Sequence, residues 1–263
     1  MPTLLNVQTS ARSSIAAAMV LAVFGATAHA QNFFDDFSSN NDSGYVRSQP
    51  LSPFGAGGSF TYSNGGYRIQ GPASPAPAQL GVQRLAISPS GVSVTDFSMS
   101  IDIIDWNTAN LTGIGLFARV RESGLGTTDG YYAHLNIGGS TPSQLVIDRI
   151  DNEAPAGVAF SGALSVDQGQ DYRLTFSGVG GSLSLSLFSL SDLLTPIASL
   201  NGVDNTYATG TVAFGTTGLF NLDTGLFSNA PVDATFDNFR VIPAPGAAAM
   251  LALGGLLASR RRR

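Results

Sequence analysis

The chain has 263 residues, no cysteine and no lysine; its 13 basic residues are all arginine, set against 18 acids, for a net charge of −5. No disulfide and no thiolate metal site can form, and a phosphate loop built on lysine is excluded. Five arginines, Arg12 and Arg260 to Arg263, fall in flanks that read as removable, which leaves eight against 18 acids, about −10 over the middle of the chain. A domain of that charge repels nucleic acid. The 31 glycines, and a polar surface made of Ser, Thr and Asn rather than of charges, describe an all-β extracellular chain with many tight turns.

Residues 1–30 read as a secretory signal peptide with an N-terminal signal helix. Arg12 is the basic start, Ile15 to Thr27 the apolar stretch, and Ala28-His29-Ala30 a small-x-small cleavage site that places the mature start at Gln31. The alternative, an uncleaved anchor, is disfavoured because the apolar run falls short of the ~20 residues of a membrane span. The export machinery and signal peptidase are the implied partners.

Residues 31–242 are the size of one β domain. Period-two alternation recurs along it. Phe97, Met99, Ile101 and Ile103 alternate with polar residues. Ile114, Leu116, Ala118 and Val120 alternate with Gly115, Phe117, Arg119 and Arg121. Tyr172, Leu174 and Phe176, and then Leu183, Leu185 and Leu187, repeat the pattern. Asn64-Gly65-Gly66, Gly138-Gly139-Ser140, Gly178 to Ser182 and Thr216-Thr217-Gly218 punctuate the runs as turns. Gly71 to Gln79, with three prolines, reads as an extended loop, and Ser191 to Leu194 as one helical turn.

The succession Phe33 to Phe37, Gly113 to Arg121, Asp129 to Leu135, Asp171 to Phe176, Gly181 to Phe188 and Ala234 to Val241 resembles the concanavalin A-like jelly roll of laminin-G-like and glucan-binding domains. The resemblance implies an all-β jelly-roll sandwich, a fold shared by lectins, glycan-binding modules, glycosidases and adhesive domains.

Catalytic signatures are sparse. With His29 removed, His134 is the single histidine of the middle, on the strand face opposite Ala133 and Leu135, and no Gly-x-Ser-x-Gly elbow is present. One histidine cannot build a histidine-rich zinc site. Glycoside hydrolysis needs a carboxyl pair. The nearest likeness to the Glu-x-Asp-x-Glu strand of family 16 glucanases is Ser100-Ile101-Asp102-Ile103-Ile104-Asp105, which lacks a carboxyl at the nucleophile position. The reading is therefore non-enzymatic. Trp106, Tyr131 and Tyr132 are the candidate stacking aromatics for a carbohydrate, Trp106 reading equally as a core-edge residue, with Arg119 or Arg121 as a hydrogen-bond donor. Neighbouring first and last strands, as the jelly-roll resemblance implies, would bring Asp35 or Asp36 to Asp237 as a calcium pair; their alternative is to cap strand ends in water. Asp148 to Glu153 reads as a solvated acidic hairpin turn.

The C-terminus runs Pro243-Ala244-Pro245-Gly246, then an apolar stretch from Ala247 to Ala258, then Arg260, Arg261, Arg262 and Arg263. This order over residues 243–263 resembles the PEP-CTERM sorting segment of exosortase substrates, with Ala244 in place of the usual Glu. It implies a C-terminal hydrophobic helix held transiently in the membrane, basic end inward, and cut by an exosortase-like protease; a plain tail anchor is the alternative. The combined expectation is an exported, non-catalytic protein of the bacterial envelope or extracellular matrix that binds polysaccharide. A glycan-active hydrolase and a purely structural matrix protein are the rivals.

Overall fold

A computed structural model describes residues 32–50, 57–72, 84–107, 111–124, 126–138, 142–218, 220–221, 226–227 and 231–243. The signal peptide and, Pro243 apart, the sorting segment lie outside the described residues. Within them every regular element is a strand, and no helix is long and apolar enough to cross a membrane.

Numbered in chain order, the strands form two antiparallel sheets. The first runs β14 (Ala198–Val203), β13 (Ser182–Ser189), β12 (Tyr172–Val179), β7 (Phe97–Trp106), β18 (Val232–Pro243), β4 (Gly66–Gly71) and β3 (Ser59–Ser63), with β1 (Phe33–Asp35) also paired to β18. The second runs β11 (Ala154–Phe160), β10 (Gln144–Asp151), β9 (Asp129–Ile137), β8 (Thr112–Glu122), β15 (Gly210–Gly218), β5 (Arg84–Pro89) and β2 (Tyr45–Ser48), with β6 (Ser93–Val94) on β15. A separate ribbon pairs β16 (Phe220–Asn221) with β17 (Leu226–Phe227). The alternating runs become these strands because each can turn an apolar row inward, as Leu183, Leu185 and Leu187 do while the serines of β13 face outward. Asn64 and Gly65, both at positive φ, close the β3–β4 hairpin with the primed-turn geometry that matches strand twist.

The two sheets meet on an aromatic seam. Phe214 of β15 lies 5.1 Å from Phe236, 4.9 Å from Phe239 and 5.6 Å from Phe37, ring centre to ring centre. Phe236 and Phe239 are three residues apart, so simple alternation would send them to opposite faces. A bulge between Asp237 and Arg240, with Asn238 at φ 50°, turns both inward.

A second bulge reverses a sequence expectation. Between Ala118 and Glu122 the register of β8 slips, with Arg119 at φ 53°. Arg119 therefore points into the sandwich and Val120 joins the outward side with Phe117. Gly210 makes room, since a Cβ there would stand 2.3 Å from the Arg119 carbonyl carbon. Arg119 donates from Nε to the Thr95 carbonyl (2.8 Å) and from Nη1 to the Tyr207 carbonyl (3.0 Å), and its guanidinium lies 5.4 Å from the Phe97 ring centre.

Other local expectations change as well. Ser191 to Leu194 is not helical: Asp192 accepts from the backbone N–H of Leu194 and Thr195 and holds a bend. Gly71 ends β4 and the loop begins after it, while Pro243 extends β18 one residue past the expected domain limit.

Near the β14–β15 connection a polar clamp ties the sheets together. Tyr131 donates to Asp204 Oδ1 (2.7 Å), Arg149 bridges Asp204 (2.9 Å) and Asp151 (2.7 Å), and Tyr207 donates to Asp151. Burial pushes the Asp204 carboxyl up, but the donors Tyr131, Thr206 and Arg149 outweigh it and hold the group down at about 2. A depressed carboxyl pKa contributes stability above the unfolded-state value, and that contribution disappears as pH falls through the folded value. Asp204→Asn is thus expected to cost about 1 kcal/mol near neutral pH after solvent screening. In urea unfolding, the gap from the parent should close between about pH 4 and pH 2.

Candidate functional site

The outward side of the second sheet is covered, where a solvated sheet face would be open. Ala86, Phe117, Val120, Tyr132, Ile150 and Ala213 form a buried cluster there, separate from the core between the sheets. Phe117, Tyr132 and His134 are stacked in parallel, Tyr132 lying 4.1 Å from each neighbour with tilts of 16° and 10°. Stacking covers the ring faces, so the groups available beyond the stack are the ring edges, which carry the Tyr132 hydroxyl and the His134 nitrogens.

Beside this stack the sheet has no side chains across two strands. Gly115 of β8 is registered with His134 on one side and with Gly215 of β15 on the other. A Cβ at Gly115 would come 2.7 Å from that of His134, and one at Gly215 would come 3.0 Å from that of Ala86. The strands thus approach too closely at both positions for any side chain, which is why glycine stands there.

Charged groups stand near the stack in fixed pairs. His134 Nε2 lies 3.0 Å from Asp148 Oδ2, an arrangement that places the Nε2 proton toward the carboxylate. Arg84 donates from Nη2 to Glu153 Oε1 and to Thr128 Oγ1, both at 2.5 Å. Burial holds Glu153 above its ordinary value and lowers the Arg84 guanidinium. Burial, then the Asp148 charge, raise the Tyr132 phenol well above its usual value.

Four buried polar atoms here have no hydrogen-bond partner among the described residues: Tyr132 Oη, His134 Nδ1, Asn136 Oδ1 and Arg84 Nε. A buried polar atom without a partner costs about 1–3 kcal/mol, so native chains rarely keep several together unless something fills their valence.

The candidate carbohydrate residues read from sequence are placed differently. Trp106 ends β7 with its ring turned into the core against Tyr172, 6.1 Å away, and is 2% exposed. The strand runs to the tryptophan itself instead of ending before it, so the indole is a core residue. Tyr131 is buried on the inward face of β9, and Arg119 is buried by its bulge. Neither they nor Trp106 offers a stacking surface. Tyr132 alone stands on the outward side, edge-on within its stack.

The acidic turn is likewise part of the structure: Asp148 serves His134 and Glu153 serves Arg84. The glucanase-like stretch is occupied too. Arg173 donates from Nε (2.6 Å) and Nη2 (2.8 Å) to Asp102, and Asn238 adds a third donor.

The first and last strands are indeed neighbours, Phe33 facing Val241. Asp237 is held above its usual pKa by burial, with Asp102, Asp36 and Asp35 adding repulsion, which brings Asp36 and Asp237 within electrostatic reach. Asp237 accepts from the Asn238 backbone and side chain, and Asp36 from Ser38. Among the described residues no three His, Cys, Asp or Glu side chains converge to hold a metal ion.

Arg84, Asn136, Asp148 and Glu153 were not singled out as site residues. The available signal was Phe117 on the polar side of β8 together with Tyr132, His134 and Asn136 two residues apart on β9, which mark a sheet covered on both faces.

No protein-family model matches the sequence, and no curated protein is similar to it. Solved structures do share its architecture. A legume lectin-like domain from Entamoeba histolytica superposes with a TM-score of 0.54 at 9% identity, over 84% of this chain and 100% of that one. The Ca2+-bound exoplasmic/lumenal domain of VIP36 gives 0.53 at 10% identity, over 81% and 90%. A GlcNAcα1-4Gal-releasing endo-β-galactosidase from Clostridium perfringens gives 0.50 at 13% identity, over 80% and 61%. At these identities the likeness is one of fold: the described domain is a two-sheet jelly roll of the concanavalin A and legume-lectin type.

Proposed function

We propose that the domain is a non-catalytic glycan-binding module whose ligand is held on the outward side of the second sheet, against Tyr132, His134, Asn136 and Arg84. The observation that carries this reading is the group of four partnerless polar atoms on that side, Tyr132 Oη, His134 Nδ1, Asn136 Oδ1 and Arg84 Nε. Hydroxyl groups both donate and accept, so one sugar ring can satisfy several such atoms at once. Lectin-like domains are among the solved structures of this fold, which supports the reading; the endo-β-galactosidase among them fits the hydrolytic alternative.

The test separates binding from stability. Tyr132→Phe removes a buried hydroxyl that has no partner, so the ligand-free domain should keep or gain about 1 kcal/mol. Affinity for a glycan found by array screening should fall about tenfold. Unchanged affinity in Tyr132→Phe, His134→Ala and Asn136→Ala alike would remove the site from this face. Release of reducing ends from the bound glycan would favour the hydrolase.

The calcium reading rests on the pairing of β1 with β18, which sets the strand that leads into Asp35 and Asp36 beside the one that carries Asp237, whose carboxyl burial and the neighbouring acids hold above its usual pKa. A cation there would relieve that repulsion, with main-chain carbonyls completing its shell. Added calcium is expected to raise the melting temperature by a few degrees through ligand linkage, and Asp237→Asn to lessen the rise. A melting temperature indifferent to calcium and to chelator ends this reading.

Export and sorting to the envelope rest on residues 1–30 and 243–263. The apolar stretch from Ala247 to Ala258 is short for a lasting span, and the terminal arginines resist translocation. Mass spectrometry of the envelope-exposed form should find the chain ending before Arg260; an intact arginine tail would identify a plain anchor.

A further inference from the structure

We propose that the first sheet carries a binding hollow of its own, on the outward side of β12, β13 and β14, and that its ligand class is a neutral, hydroxyl-rich polysaccharide. The hollow lies on the opposite side of the sandwich from Tyr132 and does not depend on what that side binds.

Strand alternation builds the floor. Leu183, Leu185 and Leu187 turn inward, so Ser182 and Ser184 point outward, and the residues registered with them share that face. One row across the three strands reads Ser177, Ser184, Asn201, and the next reads Val179, Ser182, Val203. Serine is too short to fill the space above its strand. Val179 and Val203 stand on either side of Ser182, two strand spacings or about 9.6 Å apart. An open hollow of about 410 Å³ results, within the ~300–1,000 Å³ usual for ligand sites.

The lining selects the ligand by elimination. It holds no ionisable side chain, so a charged group would meet no counter-charge there. A wholly apolar ligand would cover Ser177, Ser182, Ser184 and Asn201 without bonding them, and each group so stranded costs free energy. A peptide bound as an added strand needs open main-chain groups. β12 and β13 are each paired on both sides, and the hollow lies over their side chains.

A sugar suits both parts of the lining. Its hydroxyls donate and accept, as the serine hydroxyls and the Asn201 amide do, and its C–H groups can lie against the valines. Val203 is 73% exposed and Val179 52%, apolar surface that such contact would cover. Among the described residues the four polar side chains have no hydrogen-bond partner, whereas in the adjoining row Ser186 and Ser199 bond each other at 2.8 Å. The hydroxyls left open are those that line the hollow.

The chain has no cysteine, so one introduced thiol reports on one place. The full chain, solubilised in detergent, carries Ser182→Cys in the hollow or, as a control, Leu194→Cys on the exposed loop past the other end of β13. The probes are dextran, a β-1,3-glucan, a galactan and a mannan. With a probe at about ten times its Kd, alkylation of Ser182→Cys is expected to slow about tenfold and that of Leu194→Cys to stay unchanged. The protection should vanish when Ser184→Phe fills the hollow and persist when Tyr132→Phe alters the second sheet. Asn201→Ala, at an exposed side chain, should raise the Kd about tenfold and serves if Ser184→Phe does not fold. Protection by none of the four polymers overturns the proposal, as does equal protection of Leu194→Cys. Equal protection by the carboxymethylated form of the binding polymer overturns the neutral class. A polymer that is bound, shields neither thiol and is lost in Tyr132→Phe sits on the second sheet alone; that result overturns the hollow and leaves the other reading standing.

Discussion

Phe214 is the contact on which the sandwich turns. One ring from the second sheet meets Phe236 and Phe239 of the first and Phe37 from the segment after β1, so three distant parts of the chain close on a single point. In a chain without disulfides, such a seam carries the task that cross-links perform in smaller secreted domains. Edge-to-face and tilted rings supply directional packing beyond the area they bury. The β18 bulge at Asn238 belongs to the same device, because without it one of the two β18 phenylalanines would face outward.

That bulge has a second effect on its other face. Turning Phe236 and Phe239 inward leaves Asp237 directed at Asp102, and the acids of β1 add to the repulsion. The same economy appears in β8. The bulge that buries Arg119 under Phe97 and Tyr207 also passes Val120 to the outward cluster, beside Phe117. Two left-handed residues thus define both the aromatic seam and the covered face that holds the candidate site.

Much of the architecture was legible from period and punctuation. The alternating runs along β7, β8, β12 and β13 name their strands directly, and Asn64-Gly65 marks its hairpin. Side-chain direction was legible only as far as the next bulge. Asn tolerates the left-handed region, so Asn238 is an understandable place for one, but arginine gives no such warning, and Arg119 was assigned to the wrong face. Trp106 reads as surface or core alike for a related reason: strand ends are poorly marked in sequence, and one extra residue in a strand moves an indole from surface to core. The polar site was least legible of all. Arg84 of β5 is distant in sequence from Asp148 and Glu153 of the β10–β11 hairpin, and only pairing across the sheet brings them to one face.

The pairing of β1 with β18 also settles how the domain would respond to a pull. Phe33 lies opposite Val241, so the chain enters and leaves the sandwich at the same end of adjacent antiparallel strands. Tension between the two ends would load their hydrogen bonds one after another, as a zipper opens, and would strip the three residues of β1 before it reached the longer ladder between β18 and β7. Drawn from its C-terminal side alone, the domain would feel no such load and would turn as a unit about a single point of attachment. Its mechanical weakness is therefore confined to one direction of force, and a single tether does not apply it.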